Sequence, residues 1–363
     1  MRYLFFTNTP AHVHLYRNTV EELRAQDHEV LVLARDYGCT IDLLEYFGMP
    51  YDVYGACDTT KVSFFRELPS HYLSIFRKAI RYQPSLIFGI GGYAAHAGFV
   101  TRSPVILIHD SEPTTLDHKV SKPFADLILT PQAFQKDLGR NHRRFNGFKE
   151  TAYLHPEVYS PEDDVRPLLS VDSDEPFAII RFNAFGSHHD VGHAGFTPTE
   201  RRQLIEKLSE EVTVFVSDEG GAVDFVDLDA RPFNLHPALL HDALREARLV
   251  VSDSQTIATE AALLGTPIIR SNSFVGDDDM GNFVELAEHE LIQNVGEFDE
   301  VLDLSMTYAR DPEVKSEWER RRRDYMSDLV NLTDLITSLA FKPESVRRTD
   351  TVSLTRLMQE EPL

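Results

Sequence analysis

Residues 250–270 read VVSDSQTIATEAALLGTPIIR. A strand-like run ends in Ser-Asp-Ser, and QTIATEAALLG follows as a helix by its Ala/Leu content and terminal Gly265. Asp253 or Ser254 suits the N-cap position. The N–H groups of Ser254, Gln255 and Thr256 would then face out at the positive end of the helix, where phosphate binds. Glu260, a little under two turns further on, could reach a ribose hydroxyl beside that phosphate. Packing alone also accounts for the same residues. In that reading Ser254 merely caps, Ala258, Ala261 and Ala262 let the helix approach a sheet closely, and Glu260 points to water.

Other residues could do chemistry beside such a site. TPAHVH (9–14) falls in a strand-to-helix loop and offers His12 as the base that deprotonates an acceptor hydroxyl, or as a cap or lining residue. IHDSEPTT (108–115) supplies Asp110 and Glu112 as rivals. Arg181, at the end of FAIIRF, is placed to neutralise a diphosphate or to form a surface ion pair. RFNAFGSHHDVGHAGF (181–196) gathers His188, His189, Asp190 and His193 at metal-like spacing. Its Gly186, Gly192 and Gly195 argue against the helix that would align them, so a loop touching sugar or phosphate is preferred and no metal is expected. GDDDMGN (276–282) could hold Mg²⁺ through Asp277–Asp279, but adjacent acids do not converge on one ion, and a solvated loop is expected. GIGGYAAHAG (89–98) lacks GxGxxG order and points to close backbone approach rather than to NAD. ERRRRD (319–324) reads as a helix face offset by neighbouring acids.

The elements that must position these residues alternate. Strands are predicted at 3–7, 29–34, 85–90, 104–109 and 126–130, with helical pattern at 13–26, 40–47 and 61–82, where Pro69 marks a bend or break. Short continuous apolar runs between helices indicate a parallel sheet covered on both faces. SPEDDVRPLLSVDSDEP (160–176) is acidic and proline-rich and sets the domain boundary. The pattern then restarts, with strands at 176–182, 213–218, 248–253 and 266–271 and helices near 198–208, 237–247, 255–264 and 282–288. Residues 297–340 look helical. The prediction is an N-terminal Rossmann-like domain (1–160), a C-terminal one (176–340) with a cleft between them, and a polar tail (341–363).

Composition narrows the function classes. The 363 residues are 42% hydrophobic and carry 58 Asp+Glu against 36 Lys+Arg, a formal charge of −22. Only nine of the basic residues are lysine. A carboxylate-rich, lysine-poor surface suits concentrated salt, where repulsion is screened, and suggests a halophilic archaeon. The same charge disfavours nucleic acid and anionic lipid as partners. No segment approaches the roughly 18–20 apolar residues of a membrane span. Cys39 and Cys57 form no disulfide framework, and the opening residues lack a signal-peptide cleavage pattern, so a cytoplasmic home is expected.

The stretch SDSQTIATEAALLGTPII resembles the signature of the non-hydrolysing UDP-N-acetylglucosamine 2-epimerases, and a similar segment occurs in the bacterial peptidoglycan N-acetylglucosaminyltransferase. HPALLHDALREARLVVSD and LDHKVSKPFADLILTP resemble further segments of that superfamily. The opening, TNTPAHVHLYRNTVEEL, resembles an archaeal group of uncharacterised epimerase-like proteins. The resemblance implies the GT-B fold, with the diphosphate of UDP at Ser254, Gln255 and Thr256 and the ribose at Glu260. Gln255 and Thr256 stand where the family has paired glycines. It also makes His12 a base candidate and places His189 in a loop where the epimerases have a functional histidine.

The epimerases need three N-domain carboxylates. Here GIGGYAAHAG lacks the first, Glu112 stands for the second, and the third falls on Thr114 or Thr115. A metal-independent glycosyltransferase that uses a UDP-sugar as substrate, with no cofactor and with a glycan or lipid-linked acceptor, asks less of the chain. An altered epimerase and a non-catalytic nucleotide-sugar-binding protein are the alternatives. Nothing in the pattern sets an oligomeric state.

Overall fold

The computed structural model describes residues 1–56, 61–161, 164–183, 195–276, 279–343 and 346, with backbone alone at 61–65. The chain forms two compact units, Met1–Val158 with Leu329–Leu363, and Tyr159–Asp328.

In the first unit the order is β1 (Arg2–Thr7), α1 (Pro10–Ala25), β2 (Glu29–Asp36), α2 (Thr40–Tyr46), β3 (Tyr51–Ala56), α3 (Lys61–Tyr82), β4 (Leu86–Gly89) and α4 (Gly92–Thr101). β5 (Val105–Ile108), α5 (Thr115–Ser121), β6 (Leu127–Pro131), β7 (His142–Phe145) and α6 (Thr151–Leu154) follow. All seven strands are parallel, in the order β3-β2-β1-β4-β5-β6-β7, the reversal falling between β1 and β4. The central strands are apolar on both faces; Val105 to Ile108 of β5 are wholly buried. Ligands of such sheets bind at the carboxyl ends of the strands beside the reversal.

The second unit runs α7 (Val165–Leu169), β8 (Phe177–Phe182), α8 (Pro198–Ser209), β9 (Thr213–Asp218), β10 (Arg231–Pro232), α9 (Leu240–Glu246), β11 (Leu249–Ser252) and α10 (Gln255–Leu264). It closes with β12 (Ile268–Arg270), α11 (Gly281–Glu288), β13 (Gln293–Asn294), α12 (Phe298–Arg310) and α13 (Val314–Met326). Its sheet is again parallel, in the order β10-β9-β8-β11-β12-β13. Its reversal lies between β8 and β11, and the SDSQT stretch leaves the end of β11. No helix among the described residues is long and apolar enough to cross a membrane.

Several details depart from the sequence reading. β3, β7, β10 and β13 are edge strands or short pieces whose half-polar sequences carry no continuous apolar run. α3 runs through Pro69. α7 occupies the stretch expected to link the domains.

The last helix, α14 (Leu332–Phe341), belongs to the first unit, whereas the sequence pattern grouped it with the second. Its stripe of Leu332, Leu335, Ile336 and Leu339 is completely buried. Thr333 donates to the carbonyl of Ala152 at 2.6 Å, the Tyr3 hydroxyl donates to the carbonyl of Ala340 at 2.8 Å, and Val330 N–H reaches Asn146 O at 2.7 Å. An amphipathic pattern shows that a helix buries one face, but not which sheet receives it. Leu335→Ala should therefore cost about 2–5 kcal/mol. A urea titration read on the whole chain would show the lower midpoint, and an unchanged midpoint would mean that α14 contributes nothing to the first unit.

Candidate functional site

The start of α10 is the second unit's candidate ligand site. Ser254, the N-cap residue, is extended (φ −87°, ψ 140°) and its side chain makes no capping hydrogen bond. Ser254, Gln255 and Thr256 are half-exposed, whereas every later residue of the helix is buried. The Ser254 N–H is not available as expected, because it donates to Ser252 Oγ at 2.9 Å. The amides of Gln255 and Thr256 have no acceptor within the helix by its geometry, so the positive end of α10 meets the surface there.

Asp253 would normally compete for this place, since an aspartate before a helix caps it well. Instead it is completely buried and turned back. Its Oδ1 accepts from Asn183 N at 2.6 Å, and its other oxygen lies 3.9 Å from the Arg201 guanidinium. Arg201 in turn stacks over Phe182 at 4.7 Å and pairs with Asp218 at 3.5 Å. Burial pushes the Asp253 carboxyl up to about 6, against the pull of the Asn183 amide and Arg201.

Glu260 is buried, 3% exposed, and does not point to water. Its Oε1 lies 3.1 Å from Nε2 of His241, itself buried, on α9. The helix around it is otherwise small and apolar, with Ala258, Ala261 and Ala262 at 0% exposure. At the far end, Gly265 turns the chain with φ +77°, and Arg322 of α13 donates to Leu263 O at 2.5 Å. One arginine of the ERRRRD run thus serves the carboxyl end of α10, where a cation suits the dipole. Arg321 of the same run pairs with Glu317 at 2.5 Å and lies over Trp318.

Arg181 is committed within its own unit, bonded to Ser217 Oγ and to the Glu219 carboxylate. These contacts match the ion-pair reading of this residue and leave its contact with a diphosphate a proposal. Behind the site, buried Arg270 forms a two-point pair with Asp279, at 2.6 and 3.0 Å, and lies 3.6 Å over the Phe283 ring. Asp279 is thereby taken from the cation reading of GDDDMGN, while Asp277 and Asp278 lie outside the described residues. So do His188, His189, Asp190 and His193.

The first unit gathers a second polar group at the carboxyl ends of β1, β4, β5 and β7. His12 opens α1 and is 9% exposed. Its Nδ1 accepts from Asn8 N–H at 3.1 Å. Burial first, then the nearby Lys149 cation, hold its pKa down at about 3. With Nδ1 occupied, the neutral ring carries its proton on Nε2 and presents a donor rather than a base. Glu112, 8% exposed, accepts from Gln135 N at 3.2 Å, a structural use that pins the loop after β5.

Asp110 and Lys149 form a direct ion pair, and Glu150 lies 3.6 Å from the same ammonium. Burial works to raise the Asp110 carboxyl, but Lys149 outweighs it and leaves the group below its ordinary value. Lys149 escaped the sequence reading; the available signal was only that it is one of nine lysines, standing between Phe148 and Glu150.

Asp117 supplies a carboxylate where the sequence showed none. It accepts from Gly92 N at 3.0 Å at the start of α4. Gly91 adopts φ +80°, and a Cβ there would lie 2.4 Å from the Asp117 carboxylate, so only glycine fits this turn. Burial raises Asp117 above its usual range.

Residues 3–341 match the family described as "Protein of unknown function (DUF354)", and the chain belongs to that family. An uncharacterized protein of Methanocaldococcus jannaschii is 23% identical over 278 residues, covering 72% of this chain and 79% of its own. Among solved structures, the UDP-GlcNAc 2-epimerase of Neisseria meningitidis bound to UDP-GlcNAc superposes with a TM-score of 0.64 at 13% identity, over 94% of this chain and 100% of that one. The spinosyn rhamnosyltransferase SpnG complexed with thymidine diphosphate gives 0.62 at 15%, again over 94% and 100%. At such identities the likeness shows the fold, which is GT-B, with two Rossmann-like units.

Asp253 gives a sign for pH. Its folded-state pKa stands above the ordinary 3.8, so folding favours the protonated form. That contribution is present below pH 4 and is lost as the pH rises through about 6, up to about 3 kcal/mol. The stability of Asp253→Asn relative to the parent should therefore rise between pH 4 and pH 6.5 and level off above. A difference flat across that window in chemical denaturation would show that the carboxyl is not perturbed.

Proposed function

We propose that this protein binds a nucleoside diphosphate sugar, UDP-linked, in its second unit and transfers the sugar to a glycan or lipid-linked acceptor without a metal ion. The observation that carries the reading is the accessible first turn of α10, left uncapped above a buried carboxylate. In this reading the amides of Gln255 and Thr256 and the Ser254 hydroxyl take the diphosphate, and the helix dipole stabilises the departing UDP. Glu260, held by His241, takes the ribose hydroxyls. Arg181 acts only through its pair with Glu219, so the helix supplies most of the positive potential.

The base is assigned by elimination within the first unit. His12 offers an N–H, and the Glu112 carboxylate is buried and bonded to the Gln135 amide. Asp110 remains: it is ionised beside Lys149 and its side chain is 21% exposed. It takes the acceptor proton as the hydroxyl attacks the anomeric carbon, while His12 Nε2 donates to an oxygen of acceptor or sugar.

A second reading has one observation in its favour. Asp117 fills the Gly91–Gly92 turn, so Asp110, Glu112 and Asp117 give the first unit three carboxylates near the ends of its strands, as an epimerase of altered site would need. Deuterium uptake at sugar C2 from D₂O, with no acceptor present, distinguishes the two.

Calorimetry with UDP should show Glu260→Ala weakened by roughly tenfold or more, the loss of a hydrogen bond to a charged group. Asp110→Asn should bind UDP as the parent does and lose transfer by about 10²–10⁴-fold. EDTA should leave transfer intact. Unchanged UDP affinity in Glu260→Ala would return that residue to packing, and binding without turnover of any acceptor would favour a non-catalytic role.

A further inference from the structure

The strong acidity of this chain is unevenly laid down. It carries 58 Asp and Glu in 363 residues, yet none between Glu67 and Asp110. That stretch holds most of α3, all of α4 and the strands between them, and α5 follows shortly after. The three helices lie side by side: Tyr72 bonds His96 at 2.7 Å, and His96 reaches Val120 O at 3.0 Å.

The outer face of this layer is unusually apolar. Leu73 and Ile80 of α3 are 64% and 51% exposed, Phe99 of α4 is 67% exposed, and Leu116 of α5 is 67% exposed. Val100 and Val120 are exposed beside them. Together these make up half of the large apolar side chains exposed among the described residues. Exposed cations accompany them: Arg66, Arg77 and Arg81 on α3, Arg102 after α4, and Lys119 and Lys122 at α5. No Asp or Glu from Arg66 to Phe124 is fully exposed; Glu67, Asp110 and Asp117 are partly covered and Glu112 is buried. Beside α3 lies a groove of about 700 Å³, to which Arg2, Arg77, Lys78 and Arg81 contribute four cations against the two acids Glu29 and Asp52; Lys78 pairs with Asp52 at 3.0 Å.

We infer that this face of the first unit docks on an anionic lipid surface, with the apolar side chains entering the interface and the arginines and lysines meeting headgroup phosphates. Branched aliphatic and aromatic residues interleaved with cations along helix faces are the pattern of interfacial binding. Each cation held near an anionic surface adds to the attraction, which falls off within a Debye length. A second copy of the chain fits less well, since a two-fold contact would set this cationic face against itself. The net charge of −22, which by itself disfavours anionic lipid, is outweighed at this face, because charges further away than a Debye length of about 8–10 Å are screened.

The test is co-sedimentation of the full chain in about 0.1 M salt. The vesicles are phosphatidylcholine alone or with roughly one third phosphatidylglycerol. The expected result is binding that requires the anionic lipid and falls at least roughly tenfold in Arg77→Glu/Arg81→Glu and in Phe99→Ser/Leu116→Ser. Circular dichroism checks that both variants fold; if either does not, the dependence of the parent on lipid composition decides. No sedimentation with either vesicle, or equal binding with both, would overturn the proposal. So would a dimer by light scattering that Phe99→Ser/Leu116→Ser disperses, which would make the face a contact between copies. Capture of a soluble acidic protein without vesicle binding would count against it in the same way.

Discussion

The second unit depends on which way one carboxylate turns. An aspartate at the end of β11 could cap α10 and fill its positive end with its own charge. Asp253 instead turns back to the Asn183 amide, 2.6 Å away, and faces Arg201. That turn is costly, since it buries a carboxyl completely, and Arg201 offsets the cost only in part. What it leaves is a helix start whose amides face outward. The rest of the neighbourhood maintains this state: Ser252 ties down the Ser254 N–H, Phe182 supports Arg201, and Asn272 donates to the Asp253 carbonyl at 2.9 Å.

The first unit solves the corresponding problem in the opposite way. The start of α4 is filled by Asp117, so that helix end is closed by the protein itself, and Gly91 is required for the fit. Charge is concentrated instead after β5 and β7, in the pair of Asp110 and Lys149. Burying such a pair contributes little to stability, because desolvation roughly cancels attraction. Its consequence is electrostatic: the ammonium keeps Asp110 ionised and adds to the burial that keeps His12 neutral. Two similar sheets therefore carry different equipment, one a bare dipole and the other a set of titratable groups.

Much of this was legible in the sequence. Short apolar runs alternating with helical pattern identify the doubly wound sheets, because strands buried on both faces leave no other signature. SDSQT marked the helix start for the same local reason. What was not legible depended on partners distant in the chain. The Glu260 carboxylate could not be placed without His241, nor Arg181 without Glu219. Asp117 reaches Gly92 across 25 residues, and no local pattern records that. The edge strands β3 and β7 are half polar and so lack a run to read. His12 was legible as a loop histidine near the first strand end, but its proton state is set by its burial, by Lys149 and by the Asn8 amide.

The return of α14 to the first unit has a consequence for synthesis. Tyr3 is bonded to Ala340 from the far side of the second unit, so the second unit is an insertion within the first. Residues 159–328 are contiguous, so that unit holds its whole core once this one segment has emerged. The first unit must wait. Until residues 329–341 emerge, the faces of α1 and α6 that pack against α14 stay open to water for the whole time needed to translate the other unit. Of the two units, the one begun earlier is thus the later to be completed, and that interval is when its uncovered surface is available to chaperones or to aggregation.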